Sequence, residues 1–362
     1  MFFDLVFVIA ISTAGSNLHL ALAEGHVGHG VLTYVVVFFG IWWAWMNFSW
    51  FATSFDTDDW LYRILTFVQM GGVLVLASGI EPMFTGGDAT VLILAYVVMR
   101  LGLVAQWLRA SRCGGEAGRA ARIYAIGIVI VQALWLLMLL LPASLQLPAI
   151  ALLILAELSV PTLAETFGGR TPWHAHHITE RYSLFTLIVL GESLLASANA
   201  IIGALHEAED RTPLILLAVL AMSATAALWW LDFWPPHHRA IGSLRSSLLY
   251  GYGHFFVLGA AAAFSAGIEL EISVLAGESE VLQPWASFAY TVPLAVFILG
   301  VWILAVRRSA DRIVNIAVPL AGILVLIDPL IPVPFALTAV ILTAMVAVLT
   351  WRSPLPEGRI AA

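Results

Sequence analysis

The stretch Tyr182-Ser183-Leu184-Phe185-Thr186-Leu187-Ile188-Val189-Leu190-Gly191-Glu192-Ser193 opens an apolar run that continues to Ala204 and holds one charged side chain, Glu192. At a rise of about 1.5 Å per residue, a helix over 182–204 is long enough to cross the roughly 30 Å of hydrocarbon in a bilayer. Similar blocks recur on both sides of it, near 1–23, 30–53, 62–81, 90–110, 121–141, 147–166, 213–234, 247–270, 285–306, 311–328 and 333–351. Across 362 residues, 61% are hydrophobic and 11% charged, with a mean hydropathy of +0.95. A soluble domain carries roughly 25% charged residues, so this chain cannot cover itself with polar surface. Its apolar content is continuous rather than alternating, which predicts α-helices and not a β-barrel. The expected fold is therefore an all-α polytopic membrane protein of about twelve transmembrane helices. The first block lacks a basic leader and begins with an acid, Asp4, so it reads as a retained helix and not a cleaved signal.

The charges give a second line of argument. All sixteen basic residues are arginine, and arginine collects in cytoplasmic loops. The connections after spans two, four, six, eight and ten, with the C-terminal tail, hold Arg63, Arg109, Arg112, Arg119, Arg122, Arg170, Arg181, Arg239, Arg245, Arg307, Arg308, Arg312, Arg352 and Arg359. Arg100 falls within span four. The opposite connections hold Arg211, surrounded by Glu207, Glu209 and Asp210. That alternation predicts both termini in the cytoplasm. Proline and acid at Asp328, Pro329, Pro332 and Pro334 separate the last two blocks, as a tight hairpin or as a kink in one long element.

Two halves, 1–170 and 171–362, resemble each other. Trp42-Trp43 has a counterpart in Trp229-Trp230, and Phe3-Asp4-Leu5 in Phe185-Thr186-Leu187. Tyr62, Phe67, Gly71 and Gly79-Ile80-Glu81 match Tyr250, Phe255, Gly259 and Gly267-Ile268-Glu269 at a constant offset of 188. With six spans between copies the repeats enter the membrane in the same orientation, related by an axis along its normal.

Ionisable groups inside a bilayer cost several kcal/mol and therefore face partners, water or a pathway. Asp4, Glu81, Glu157, Glu165, Glu192, Asp232, His254, Glu269 and Asp328 are of this kind. Glu192 is deepest, with Phe185, Val189 and Ala196 along its stripe and Ser193 and Ser197 alongside; it reads either as a cation or proton site or as a structural hydrogen bond. Glu81 and Glu269 sit at equivalent ends of spans three and nine, where a two-fold axis can bring them to one mouth, although acids at an interface are cheap. Asp4 lies at the inner end of span one, which the repeat pairs with span seven.

The segment Trp173-His174-Ala175-His176-His177-Ile178-Thr179-Glu180-Arg181 leads into span seven. His174, His177 and Arg181 share a helical face with Glu180 close by. A gate or pH-sensitive latch suits histidine, which titrates near neutrality; ordinary interfacial contacts and zinc are the alternatives, zinc lacking a cysteine or an HExxH arrangement. Trp42, Trp43 and Trp45 lie too deep for interfacial anchors and read as a packed wall or a cation-π surface. Asp56, Asp58 and Asp59 read as a solvated loop. The lone Cys113 excludes an intramolecular disulfide or a cysteine metal site. No basic patch supports nucleic-acid binding, and no nucleophile elbow or phosphate loop supports a hydrolase or ATP-driven pump. No cofactor or metal is expected; the expected partners are the lipid bilayer and a small cation or solute.

Phe2-Phe3-Asp4-Leu5-Val6-Phe7-Val8, Trp42-Trp43-Ala44-Trp45-Met46-Asn47-Phe48, Phe55-Asp56-Thr57-Asp58-Asp59, the stretch from Glu180 to Ser193, and Tyr250-Gly251-Tyr252-Gly253-His254 together resemble the bacterial low temperature requirement A family over nearly the whole chain. The resemblance implies a multi-pass protein of the bacterial inner membrane linked to growth in the cold. It implies no substrate or mechanism. Members usually carry further residues before the Phe-Phe-Asp motif, so a longer N-terminus is expected. The leading functional expectation is a secondary transporter or channel for a small cation or solute, with Asp4, Glu192 and His254 lining a path between the two halves. A membrane-state sensor or scaffold and an intramembrane enzyme acting on lipid, recruiting His174, His177 and Glu180, are the alternatives.

Overall fold

A computed structural model describes residues 2–207, 210–331 and 335–356, and among these every regular element is helical. Twelve long helices follow in order: α1 Phe2–Ala23, α2 Val27–Phe55, α3 Trp60–Ser78, α4 Thr90–Ala110, α5 Gly115–Met138, α6 Ala143–Leu163, α7 Ala175–Glu207, α8 Thr212–Phe233, α9 Leu244–Ala276, α10 Trp285–Val301, α11 Arg312–Ile327 and α12 Ala336–Trp351. Eleven of them, some with a short helical extension, are long and apolar enough to cross a bilayer; α12 is apolar but only 16 residues long. Sixteen residues rise about 24 Å, short of a full hydrocarbon core. Expectations that fall on Met1, Glu209, Pro332, Pro334 and Arg359 lie outside the described residues. The connection after α11 begins with a turn at Asp328–Leu330, so the last two apolar blocks are separate helices.

The helices outrun their apolar blocks where polar residues favour the same backbone. α5 begins at Gly115 and α7 at Ala175, so Arg119, Arg122 and the histidine segment from Ala175 onward are helical. Hydropathy marks the slab of hydrocarbon, whereas the helix ends where its caps lie. Asp59 caps α3, its carboxylate accepting the Tyr62 N–H at 2.9 Å. Ser243 and Ser246 form a reciprocal capping box on α9, and Gly277 closes that helix in the left-handed region.

The helices are apolar all round. On α4, Leu94, Val98, Leu101 and Leu108 are exposed while Ile93, Val97 and Val104 on the other face are buried. A helix apolar on both its packed and its open face is solvated by hydrocarbon rather than water.

Two compact units emerge from packing. The first comprises residues 1–10 and 39–178, the second 11–38 and 179–362. Compactness thus groups residues 11–38 with the later part of the chain. Within the first unit α3 packs on α4, α4 on α5 and α5 on α6; within the second α9 packs on α10, α10 on α11 and α12 on α8. Close helix approach rests on small residues. A Cβ on Gly267 of α9 would lie 2.5 Å from the backbone of Ala289 and Tyr290 in α10, a spacing only glycine permits.

Candidate proton-holding site

The second unit gathers titratable side chains where α8 turns into α9. Asp232 occupies the last turn of α8, His237 the short helical turn that follows, and Tyr250 and His254 stand four residues apart on α9. All four are buried, Asp232, Tyr250 and His254 to about 1% exposure. His237 Nε2 lies 2.6 Å from the backbone carbonyl of Asp232, and the Tyr250 hydroxyl lies 2.9 Å from His237 Nδ1. A carbonyl only accepts, so Nε2 carries the hydrogen and a neutral His237 takes its second bond from the Tyr250 O–H. By the same reasoning His254 Nδ1, 2.7 Å from the Tyr250 carbonyl, donates, which makes Nε2 the lone-pair nitrogen of that ring. Tyr182 stacks edge-on against His254 with ring centroids 4.9 Å apart.

Asp232 is the group least provided for. Neither carboxylate oxygen has a well-formed hydrogen bond among the described residues; the one hydroxyl close enough to turn toward it, that of Thr186, lies 3.0 Å from the Tyr182 carbonyl. His237 Nε2 stands 3.8 Å from Asp232 Oδ1. A bare, unpaired carboxylate in such a place costs several kcal/mol. Tyr250 donates its O–H to Nδ1 of a neutral His237 and accepts from Nδ1–H of an imidazolium, so the ring gains or loses its second proton on the Tyr250 side.

From this cluster a polar stripe runs along α7. Tyr182, Thr186, Ser193 and Ser197 are buried on one face; Ser193 donates to the Ala261 carbonyl of α9 at 2.8 Å and Ser197 to the Ser193 carbonyl at 2.8 Å. Glu192, beside that stripe, is half-buried and has no hydrogen bond or ion pair among the described residues. Toward the other end of α9, His19 Nε2 and Ser273 Oγ are 3.0 Å apart and His19 Nδ1 is 3.4 Å from Glu269. Glu271 accepts from Ser287 and Gln283, both at 2.6 Å, and Asp328 accepts from Thr338.

The first unit treats its charges differently. Glu157, completely buried, accepts four hydrogen bonds: from Trp43 Nε1 at 2.9 Å, Tyr96 OH at 2.8 Å, Arg100 Nη2 at 2.9 Å and Gln132 Nε2 at 2.8 Å. Trp45 Nε1 donates to Asp4 at 2.7 Å, and Glu165 accepts from Thr171 and Tyr124. Trp43 and Trp45 are thus donors to buried acids as well as packing. Asp59 holds Arg109 with both oxygens besides capping α3, and these bonds lower its pKa to about 2; Asp58 is held low by Arg63. The acidic loop is therefore fastened and not merely solvated. Glu81 is exposed in a one-turn helix, Ile80–Phe84.

His174 and His177 are exposed with ring centroids 4.9 Å apart; Glu180 is exposed and Arg181 half-buried. Among the described residues no group of three or more His, Cys, Asp or Glu side chains could hold a metal ion. Sequence reasoning found Asp232 and His254 as intramembrane ionisable groups and missed Tyr250 as the link. The signal available was the spacing of Tyr250 and His254, which puts them on one helical face.

Comparison with known proteins accords with the motifs. The profile described as Bacterial low temperature requirement A protein (LtrA) matches residues 1–351. A protein of Rhizobium meliloti (strain 1021), named only as uncharacterized, is 26% identical over 276 residues, which is 72% of this chain and 65% of that protein. The chain therefore spans less than two thirds of that relative's length. No solved structure matches. With the profile running through every helix from α1 to α12, the chain belongs to the bacterial low temperature requirement A family.

Proposed function

We propose that this protein is a secondary transporter or channel of the bacterial inner membrane, moving protons alone or with a small cation or solute, and that Asp232, His237, Tyr250 and His254 hold and pass the proton. The observation that carries this reading is Asp232, a buried carboxylate without a well-formed hydrogen bond among the described residues, 3.8 Å from a histidine that is itself hydrogen-bonded to a tyrosine. Structural acids are saturated, as Glu157 is; an acid meant to load and unload a proton is left with one partner that can take it. Glu192 and Ser193 extend the polar stripe of α7 toward mid-membrane and serve as the next stations. Glu269 lies farther along α9, and Glu180 and Arg181 near the start of α7, with the neighbouring His174 and His177, form a gate at its entry. The arginine distribution supports cytoplasmic termini, and the matched positions at offset 188 support two parallel six-helix repeats.

The test is flux in reconstituted vesicles carrying an internal pH dye, under an imposed proton gradient. Wild-type protein moves protons, Asp232→Asn abolishes the movement, and Glu192→Gln slows it. Vesicles with correctly folded protein and no proton- or cation-dependent flux refute the reading, as does an Asp232→Asn protein that transports like wild type.

A further inference from the structure

The second unit contains a groove of about 620 Å³ that the proton-holding cluster does not touch. Its walls come from the first part of α2 and from α9 and α10, with Leu18 and Leu22 of α1 at one end. The side chains are apolar throughout, and Tyr34, the residue there with a side-chain hydroxyl, turns that group inward to the Gly259 carbonyl at 2.7 Å. What remains is a hydrocarbon-lined trough with exposed Val31, Val35 and Phe256 at its opening.

Its dimensions bear on the occupant. Along α2 the lining runs from Val27 to Phe38, and along α10 from Trp285 to Val296. Eleven helical steps rise about 16 Å, close to half of the roughly 30 Å hydrocarbon core. A groove that starts at a membrane boundary and ends at mid-depth matches one leaflet, and therefore a single acyl chain entering from that boundary.

The boundary end carries charge of one sign. Glu280 precedes the groove residue Val281, and its N–H bonds to the Ala23 carbonyl at 2.9 Å, fixing the segment before α10 against the end of α1. Glu24, Glu278 and Glu280 are all exposed there, with His26 3.5 Å from Glu24 and His29 on the next turn as the other titratable groups of those two segments. The segments 24–29 and 277–284 contain no arginine. Acidic groups at headgroup level attract a primary amine and repel an anionic glycerol phosphate.

We infer that this groove is a binding site for one amine-headed phospholipid, with an acyl chain lying between α2, α9 and α10 and the ammonium group beside Glu278 and Glu280. Hydrocarbon inside the groove is no better solvated than hydrocarbon in bulk lipid, so retention depends on packing against the walls and selection on the headgroup.

Native mass spectrometry of the full chain in detergent, titrated with phosphatidylethanolamine or phosphatidylglycerol of identical acyl composition, tests this. The expected result is a single retained phosphatidylethanolamine, preferred over phosphatidylglycerol by about three- to fivefold per engaged surface carboxylate. Val31→Trp, which fills the trough from its exposed wall, removes retention of both lipids. Glu278→Gln with Glu280→Gln, two surface changes that leave the helices intact, keeps lipid bound and brings the two lipids to parity. Equal retention by the wild-type chain overturns the amine selection, and so does a preference that survives the double Gln variant. Unaltered retention in folded Val31→Trp protein overturns the site, as does detergent that titrated lipid fails to displace.

Discussion

Arg100 and Glu157 offer a quantitative test of how the first unit carries charge inside a membrane. Both are buried to 1% exposure or less, 2.9 Å apart, and the carboxylate has three further donors in Trp43, Tyr96 and Gln132. Arg100→Met leaves a buried carboxylate with neutral donors only, and Glu157→Gln leaves a buried guanidinium without its counter-charge. Removing one member of a buried pair costs about 3–5 kcal/mol. The double variant removes both charges: the glutamine carbonyl still accepts from two of the three neutral donors, and one donor left unsatisfied costs about 1–3 kcal/mol. The combined variant is therefore expected to be more stable than either single one, with a coupling of at least about 3 kcal/mol in the double-mutant cycle. Neutral interhelical bonds in membranes average only about 0.6 kcal/mol, which sharpens the contrast. Unfolding in mixed micelles of increasing SDS content, followed by tryptophan fluorescence and far-UV circular dichroism, measures all four proteins. Additive losses, with the double variant worst, refute the claim that charge neutralisation dominates this cluster.

Asp59 supplies a pH test. Its hydrogen bonds from Arg109, and then from the α3 backbone, hold its pKa down at about 2. A carboxyl depressed in the folded state stabilises the protein fully above the usual carboxylate range and loses that contribution as pH falls from about 4 through 2. Arg109→Gln should therefore move the onset of acid unfolding to higher pH, read by circular dichroism across that window. Gly267→Ala places a Cβ 2.5 Å from the α10 backbone and should cost about 1–3 kcal/mol, seen as a lower melting temperature in detergent. Gly191→Ala, with open space around it, serves as the matched control and should be neutral or slightly stabilising.

Sequence reading recovers the element type and nearly every helix of this protein, because a bilayer imposes a length and a polarity that no other environment requires. It is weaker at the ends. The start of α7 at Ala175 and of α5 at Gly115 lies outside the apolar slab, where hydropathy carries no signal. Individual candidates were legible as intramembrane charges, but their partners were not. Arg100 lies 57 positions from Glu157 and Trp43 114 positions from it, and nothing in either local pattern specifies which helices meet. Glu192 shows the limit from the other side: the helical wheel placed it on the stripe of Phe185 and Val189, yet the buried polar face is that of Ser193 and Ser197. A wheel gives angular order and cannot say which angle faces a neighbour.

The contrast between the two buried acids is what gives the proton reading its direction. Glu157 has as many donors as its two oxygens can comfortably take, two on each, and a fixed counter-ion in Arg100. Asp232 has one charged-when-protonated neighbour, a histidine whose other nitrogen is already joined to a hydroxyl able to reverse its donor role. A change at the Asp232 carboxyl disturbs no network of the kind that fixes Glu157. The same chain thus contains one buried acid locked into four hydrogen bonds and another left almost without them. If transport occurs, Asp232 is where substitution should stop it without unfolding the protein, whereas substitution at Glu157 should act through stability.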